Sequence, residues 1–309
     1  MFEDLFIEDG LSLERLHALV QLSEAGSLIR AAKDDPIRQS RYSHYLRQLS
    51  GFFGTKLTMR VGKSIKLTAA GERLVRLARE HFKELEQFRR DVRHEAQEFR
   101  LGASDSIHQW LVAPAVGALR RPGHTSRLVL ESHRTNELVA RLDEQRLDFG
   151  LLRADAVPKG LKAEPVCKIR YAIVVPERLV PQRGMLTLKN ALFNCPHVAM
   201  GSDGQMNQRI QQLASDLGRR FLPDLVCDSL SHCVMAVRSG FYAAILPLKS
   251  WTTAAETPCH VVEDASLDIL DHDVTLAWHP RLMEVRGTGA STMKSKLLAV
   301  LRDRGALDD

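Results

Sequence analysis

Apolar side chains recur at helical spacing in the first part of the chain. A first helix is predicted from about residue 12 to residue 25, because its apolar positions repeat every three or four residues: Leu13, Leu16, Leu19 and Val20. Gly26 ends this helix, and Ser27 is a residue of the kind that caps the start of a short second helix. The Asp34-Asp35-Pro36 sequence then predicts a turn.

A third helix, predicted from about Arg38 to Leu49, has one apolar stripe and one polar face. The stripe consists of four residues that we expect to be buried: Tyr42, Leu46, Leu49 and Phe53. The opposite face contains no acid, and every side chain on it can donate a hydrogen bond: Ser40, Arg41, Ser43, His44, Arg47 and Gln48. This pattern is typical of a helix that contacts nucleic acid, and an ordinary solvated face is the alternative.

The start of this third helix carries Arg38 and Gln39. A recognition helix usually meets the base edges with its N-terminal residues. Arginine pairs with guanine and glutamine with adenine in the major groove. We therefore expect these two residues to contact bases together with Ser40, Arg41, Ser43, His44 and Arg47.

Apolar and polar residues alternate next, from residue 54 to residue 68, as they do in a β-hairpin. The alternating apolar positions lie on both sides of a turn at Gly62-Lys63: Leu57, Met59, Val61, Ile65 and Leu67. Such a hairpin beside a recognition helix is a wing. Its basic residues, Arg60, Lys63 and Lys66, are expected to contact phosphates.

A long helix is predicted from Thr68 to about Phe99. A heptad seam runs along it with spacings of four and three residues: Leu74, Ala78, His81, Leu85, Phe88 and Val92. A seam of this kind implies a partner helix, so we expect a dimer. Packing against the chain's own second domain is the alternative.

Beyond residue 99, strand-like runs alternate with helical ones. We predict eight strands, at Phe99–Ala103, Arg127–Ser132, Leu147–Arg153, Ala172–Pro176, His197–Gly201, Leu225–Asp228, Ala243–Pro247 and Val274–His279. Strands separated by helices predict an α/β domain with mostly parallel sheets. Domains of this class bind ligands beyond the carboxyl ends of their strands.

Charge supports a nucleic-acid partner for the first domain. Residues 26–79 contain twelve Lys or Arg and three acids, a local balance of +9, whereas the whole chain carries +5. A small helical module with charge of one sign is typical of proteins that bind a phosphate backbone. Because the acidic N-terminus has no basic leader and no apolar run is long enough to span a bilayer, we expect a cytoplasmic protein without a membrane partner.

Catalytic and metal-binding motifs are missing from the sequence. No G-x-S-x-G elbow, H-E-x-x-H pair or glycine-rich dinucleotide loop occurs, so we predict no enzyme, no catalytic residue and no cofactor. The five cysteines are scattered and form no C-x-x-C, so we expect neither a metal site nor a disulfide framework. Cys227 and Cys233 lie close enough in sequence to form a redox pair, although small buried side chains are the simpler interpretation.

The first 99 residues resemble a LysR-type transcriptional regulator. The resemblance rests on residues that match the family's pattern at its spacing: Glu24-Ala-Gly-Ser27, Ala31-Ala32, Gln39, Leu46, Leu49, Gly54, Leu57, Arg60 and Leu67-Thr-Ala-Ala-Gly71. The chain departs from that pattern at Asp35, where an apolar residue is usual, at Arg38, and at Ser50, where Glu is usual. The resemblance implies a winged helix-turn-helix that binds double-stranded DNA as a homodimer or as a dimer of dimers, a homotetramer.

The resemblance extends into the second domain through Arg100-Leu-Gly-Ala103, Leu147-Asp-Phe-Gly-Leu-Leu152 and Gly240-Phe-Tyr-Ala-Ala-Ile-Leu-Pro247. It implies an α+β chain in three parts: a winged helix-turn-helix (1–67), a linker and dimerisation helix (68–99), and a two-lobed α/β effector domain (100–309). The effector domain is expected to resemble periplasmic binding proteins. One lobe would comprise about 100–166 with 268–309, and the other about 167–267.

Two predicted strands end at serines that begin helices, Ser104-Asp105-Ser106 and Ser202-Asp203-Gly204. Exposed amides at helix N-termini favour anions, so we expect an anionic small-molecule effector near Ser104, Ser106 and Ser202. The resemblance adds four residues at positions that line the family's cleft: Thr135, Asn136, Ser229 and His232. Ordinary capping and turn chemistry is the alternative for each of these residues.

These observations predict a sequence-specific DNA-binding regulator controlled by a small molecule. Two other hypotheses stay open. One is a thiol-redox regulator that uses Cys227 and Cys233. The other is a small-molecule-binding α/β protein or enzyme whose helical first domain serves only for assembly.

Overall fold

The chain divides into two compact units, Met1–Glu95 and Ala96–Asp309. In this computed structural model, the described residues are 3–61, 64–93, 96–119, 126–181, 185–201, 204–248, 251 and 257–306. We call the two parts the first unit and the second unit.

The first unit is a group of helices with a two-stranded hairpin. Its elements are α1 (Asp4–Ile7), α2 (Leu13–Ala25), α3 (Leu28–Ala31), α4 (Pro36–Phe52), β1 (Thr58–Val61), β2 (Ser64–Leu67) and α5 (Ala69–Val92). The predicted cap at Ser27 is confirmed, because its side chain accepts a hydrogen bond from the amide of Arg30, and Ser12 caps α2 in the same way through the amide of Arg15. Gly26 ends α2 in the left-handed conformation, with φ of 68°. Local sequence therefore sets the limits of α2 and the start of α3.

The helix α4 is longer than the sequence predicted. It begins at Pro36 because Asp35 caps it, with a side chain that accepts from the amides of Ile37 and Arg38. Leu46 and Leu49 of the predicted stripe are buried, and Tyr42 packs against the same core. The prediction for Phe53 was wrong: this residue is the C-cap of α4, and its side chain is exposed.

The long helix α5 ends at Val92 rather than near residue 99. Phe99 belongs instead to the strand that begins at Glu98, where its side chain is fully buried. At the other end of α5, the Thr68 hydroxyl accepts a hydrogen bond from the Gly71 amide, as expected of a cap.

The second unit alternates strands and helices. Its elements are β3 (Glu98–Ala103), α6 (Asp105–Ile107), a π-helical turn (His108–Val112), α7 (Ala113–Leu119), β4 (Arg127–Ser132), α8 (Thr135–Asp143), β5 (Phe149–Arg153), β6 (Lys162–Ile169), β7 (Tyr171–Pro176), α9 (Leu188–Phe193), β8 (Val198–Met200), α10 (Gln205–Asp216), β9 (Leu225–Cys227), α11 (Leu230–Arg238), β10 (Ala244–Pro247), β11 (Cys259–Val262), β12 (His272–Trp278) and α12 (Arg281–Ala306), which is broken at Gly287.

The strands of the second unit form two lobes. The first lobe has a five-stranded sheet in the order β4-β3-β5-β12-β6. The second lobe has the sheet β10-β7-β11 and the pair β8-β9, which an isolated bridge between His197 and Ala243 connects to β10. The chain passes between the lobes at Arg170 and again between Val262 and His272.

The expectation of mostly parallel sheets was wrong. The pairs β3-β4, β3-β5 and β8-β9 are parallel, but β12 runs antiparallel to both its neighbours and β7 runs antiparallel to both of its own. The sequence also missed β6 and β11, which are edge strands. The strand β6 contains Pro165 beside a bulge, and proline weakens a strand signal although an edge tolerates it.

Candidate DNA-binding and effector-binding sites

The polar face of α4 combines exposed and half-buried side chains. Ser40, Arg41, His44 and Arg47 are exposed, while Arg38, Gln39 and Ser43 are half-buried. Gln48 is tied to the neighbouring helix α2, because its Oε1 accepts a hydrogen bond of 2.9 Å from Arg15 Nε. The face of α4 that the sequence singled out therefore presents donors and positive charge to solvent.

The wing is formed by β1 and β2, which pair antiparallel with Arg60 opposite Ile65 and Met59 opposite Lys66. Opposed residues share a face of a hairpin, so Arg60 and Lys66 lie on opposite faces. Both side chains are exposed. The third predicted phosphate contact, Lys63, lies outside the described residues. The two described cations therefore flank the hairpin rather than form one patch.

The predicted seam of α5 consists of two different halves. Leu74 and Ala78 are buried in the core of the first unit. Farther along, Leu85, Phe88 and Val92 are 52%, 69% and 62% exposed. His81 lies between these groups and is also exposed, with its Nδ1 3.6 Å from Glu84 Oε2. The second half presents an apolar stripe that the first unit's core does not use.

A cavity of about 70 Å³ lies in the second lobe of the second unit, where Ser106 of the first lobe borders it. Its walls come from Ser106 of the first lobe and from the ends of β8 and β10, the start of β7, and the helices α10 and α11 of the second lobe. The side chains on these walls are mainly apolar, and the polar ones are Ser106, Tyr171 and Asn207. No charged side chain lines it among the residues that the structure describes.

The predicted effector residues have different positions around this cavity. Ser104 caps α6, and its Oγ lies 3.0 Å from the Oγ of Ser106. Ser229 caps α11. Thr135 and Asn136 begin α8, and the exposed ring of His232 hydrogen-bonds to Asp228. Ser202 lies outside the described residues. Among the described candidates, Ser106 is the one that lines the cavity.

Sequence reasoning missed most of the cavity wall. Tyr171, Met200, Met206 and Asn207 all contribute to it. Burial raises the pKa of the Tyr171 phenol, so this ring stays neutral. The two methionines could have been a signal, because they lie just before and after a predicted strand end and methionine fills irregular apolar sites.

Several polar contacts join the lobes. Ser231 Oγ donates to Gln109 Oε1 over 3.0 Å on one side. Elsewhere Arg209 of α10 approaches Asp155 Oδ2 at 3.3 Å and donates to the carbonyl of Asp271 over 3.1 Å. The buried core also continues from one lobe to the other, because Phe99 and Leu111 of the first lobe and Val198 and Leu230 of the second belong to one apolar cluster.

The two cysteines of the alternative redox hypothesis, Cys227 and Cys233, lie in contact with each other. Cys233 is 1% exposed, and burial, with a smaller contribution from Cys227, raises the pKa of its thiol to about 12. A thiolate is the form that reacts with oxidants, and this shift favours the neutral thiol of Cys233. Within the described part of the chain, no group of three His, Cys, Asp or Glu residues is arranged to hold a metal. None of the helices described is long and apolar enough to span a membrane.

Comparison with known proteins decides the family. Residues 13–72 match the model "Bacterial regulatory helix-turn-helix protein, lysR family", and residues 93–284, more than half the chain, match "LysR substrate binding domain". The chain belongs to the LysR family. Residues 13–72 therefore correspond to the LysR helix-turn-helix domain, and residues 93–284 to the LysR substrate-binding domain.

Curated relatives of this LysR-family protein are distant and only partly aligned. The transcriptional regulator YnfL of Escherichia coli K12 is 29% identical over 196 residues, 62% of each chain. HdfR of Yersinia enterocolitica is 30% identical over 141 residues, 45% of this chain and 48% of the relative. The chain thus spans about half to three fifths of the length of these relatives.

Solved LysR-family structures share the fold. A full-length OxyR variant from Pseudomonas aeruginosa aligns with a TM-score of 0.67 and 17% identity over 96% of both chains. Full-length CbnR complexed with its target DNA aligns with a TM-score of 0.59 and 15% identity over 95% of this chain and 100% of CbnR. At these identities, the likeness concerns the fold alone.

Two of the three departures from the LysR pattern, Asp35 and Ser50, now have structural explanations. Asp35 replaces an apolar residue and caps the recognition helix. Ser50 replaces a glutamate, donates to the carbonyl of Leu46 over 2.9 Å and accepts from the amide of Leu57 over 3.4 Å. Both substitutions therefore supply hydrogen bonds that fix the ends of α4.

Proposed function

We propose that this LysR-family protein regulates transcription by binding double-stranded DNA through α4 and the β1-β2 wing. The observation that carries the proposal is the exposed face of α4, which is basic, contains no acid and lies in a domain of the LysR helix-turn-helix family. A face composed of hydrogen-bond donors matches the acceptors of guanine and the phosphates. A protein acting on DNA in this way works in the cytoplasm of a bacterium.

The two halves of this surface have different roles in the proposal. Residues on α4 contact base edges, because a helix of this width fits the major groove: Arg38, Gln39, Ser40, Arg41, Ser43, His44 and Arg47. The exposed wing cations, Arg60 and Lys66, contact phosphates together with Lys63. Sequence preference therefore depends on α4, and affinity for any DNA depends on the wing.

Pairing of two chains through α5 completes the DNA-binding site. The exposed apolar stripe of Leu85, Phe88 and Val92 fits a second copy of the same helix. A homodimer brings two α4 helices to two half-sites. Two such dimers would form a homotetramer.

The effector, in this proposal, binds between the lobes with an anionic head and an apolar body. The cavity touches the first turn of α11, whose N-terminal amides favour an anion, and Met200 and Met206 accept an apolar body. A cavity of about 70 Å³ is smaller than usual metabolite sites, so binding needs the lobes to separate. The effector would then stabilise one of two lobe arrangements and so alter DNA binding.

DNA binding is tested with an operator selected from random-sequence duplexes and three variants. Arg41→Ala should raise the Kd for the operator by about 10- to 100-fold while leaving the affinity for unrelated DNA nearly unchanged. Arg60→Ala should weaken binding to every sequence and reduce the slope of log K against log salt by about one. Arg220→Ala, an exposed arginine of the second unit, is the matched control. Absence of any gel shift at low salt would contradict the proposal.

The effector proposal is tested with small carboxylic acids and their neutral amides. A carboxylate effector should raise the melting temperature of the second unit, followed by the fluorescence of Trp110, Trp251 and Trp278, and Ser106→Ala should reduce this rise. Ser132→Ala, at an exposed strand end, is the control. Equal shifts with acids and amides would show that the effector's charge is not recognised.

A further inference from the structure

Ile37 is the most exposed large apolar residue of α4, at 79%, and the sequence had placed it before the start of the helix. A single exposed isoleucine on a protein surface is ordinary. Its position makes this one different, because it is the second residue of the helix that we assign to the major groove. The recognition helix therefore begins with an apolar group, whereas its remaining exposed face consists of polar groups.

Helical spacing places Ile37 on the same face as the predicted base contacts. Residues at i, i+3, i+4 and i+7 form one face of a helix, and here those positions are Ile37, Ser40, Arg41 and His44. All four are exposed. Leu46 and Leu49 lie on the opposite, buried side. Ile37 therefore points in the direction of any DNA that Arg41 contacts.

The backbone at Ile37 is held in place before DNA arrives. Its amide donates to Asp35 Oδ1 over 2.9 Å, the next amide donates to the same oxygen over 3.3 Å, and Pro36 restricts the preceding φ angle. A β-branched side chain in a helix also has one strongly preferred rotamer. Because its backbone and its rotamer are both restricted, the Ile37 side chain can distinguish base pairs that differ by one methyl group.

The major groove contains one apolar feature in ordinary DNA, the C5-methyl group of thymine. Isoleucine cannot hydrogen-bond to base edges, so burying it against polar acceptors would gain little. Against a thymine methyl, both partners lose exposed apolar surface, and each buried methyl changes affinity by about fourfold.

We propose that Ile37 is a specificity-determining residue that recognises a thymine C5-methyl group at the base pair facing the start of α4. This inference rests on the proposed function, since it requires α4 to lie in the major groove. In this inference, Ile37 recognises one base through apolar contact, whereas Arg38, Gln39 and Arg41 recognise bases through hydrogen bonds.

The test replaces each thymine of the selected operator in turn with deoxyuridine, which removes the methyl group and leaves the base pairing and hydrogen-bond pattern unchanged. Binding is measured by fluorescence anisotropy at one fixed salt concentration. For the wild-type protein, the replacement of one particular thymine in each half-site should lower the affinity for the duplex about fourfold. With Ile37→Ala, the same replacement should have less than about a 1.5-fold effect. Ile37→Val should retain most of the wild-type response.

The control is Ile29→Ala, which removes another exposed isoleucine of the first unit from α3 rather than α4. It should respond to deoxyuridine as the wild type does. If no thymine methyl affects binding, or if Ile37→Ala keeps the full effect, the inference is wrong although DNA binding stands. If the wild-type protein binds no duplex at low salt, both the inference and the proposed function fail.

Discussion

Replacing Gly71 with alanine should strongly destabilise the first unit. A Cβ atom at this position would lie 2.1 Å from the carbonyl oxygen of Leu57 and 3.0 Å from its carbonyl carbon. These are backbone atoms, and the same carbonyl oxygen accepts a hydrogen bond of 3.0 Å from the Thr68 amide. Because neither strand nor helix can move without breaking that bond, we expect a loss of about 3 kcal/mol in the free energy of unfolding.

The matched control is Gly51→Ala, near the end of α4. A Cβ atom at Gly51 would meet nothing within 4 Å. Alanine in a helix is favoured over glycine, so this variant should gain about 0.5–1 kcal/mol. Since the three tryptophans all lie in the second unit, the first unit is best followed by hydrogen exchange in peptides from α4 and α5. Equal protection in the two variants would show that the first unit accommodates the added methyl group.

Introducing a charge at Leu85 should convert dimers to monomers. The exposed stripe of Leu85, Phe88 and Val92 has the spacing of a coiled-coil seam, and Leu85 is its first exposed member. In a dimer, Leu85→Asp would bury two carboxylates near each other without partners. We expect the dimer Kd to rise at least about 100-fold, measured by sedimentation equilibrium.

Leu77→Asp is the control for this variant, because Leu77 is also exposed on α5 but lies one position off the seam. It should remain dimeric at concentrations where Leu85→Asp is monomeric. A Leu85→Asp protein that sediments as a dimer would place the interface somewhere other than the seam.

The first unit could be predicted closely from sequence because its structural signals are local. The caps at Ser12 and Ser27 and the buried Leu46 and Leu49 lie within one or two helical turns of the residues they serve. The error at Phe53 has the same origin. A periodic stripe cannot show that the helix ends at Phe52, after which the next side chain no longer follows the helical spacing.

The second unit was predicted less well because strand pairing depends on distant parts of the chain. The strand β12 pairs with β5, which lies more than a hundred residues earlier in the chain. The pattern of apolar and polar residues within β12 is the same whether the strand runs parallel or antiparallel to its neighbour, so the sequence could not show its direction. The DNA-binding face was found because it belongs to one helix. The cavity was largely missed because its walls come from segments between Ser106 and Pro247, brought together only by folding.

Because α5 has a buried half and an exposed half, one continuous helix would connect the core of the first unit to the dimer interface. Its first turns are fixed to the core through Leu74 and Ala78, and its last turns, from Leu85 to Val92, would be fixed to the partner. Those points are separated by roughly 20 Å of helix. A 10° change in the crossing angle of two such helices would shift one DNA-binding unit relative to the other by about 3–4 Å, close to the rise of one base pair. Small changes at the interface would therefore decide which half-site spacing the protein fits.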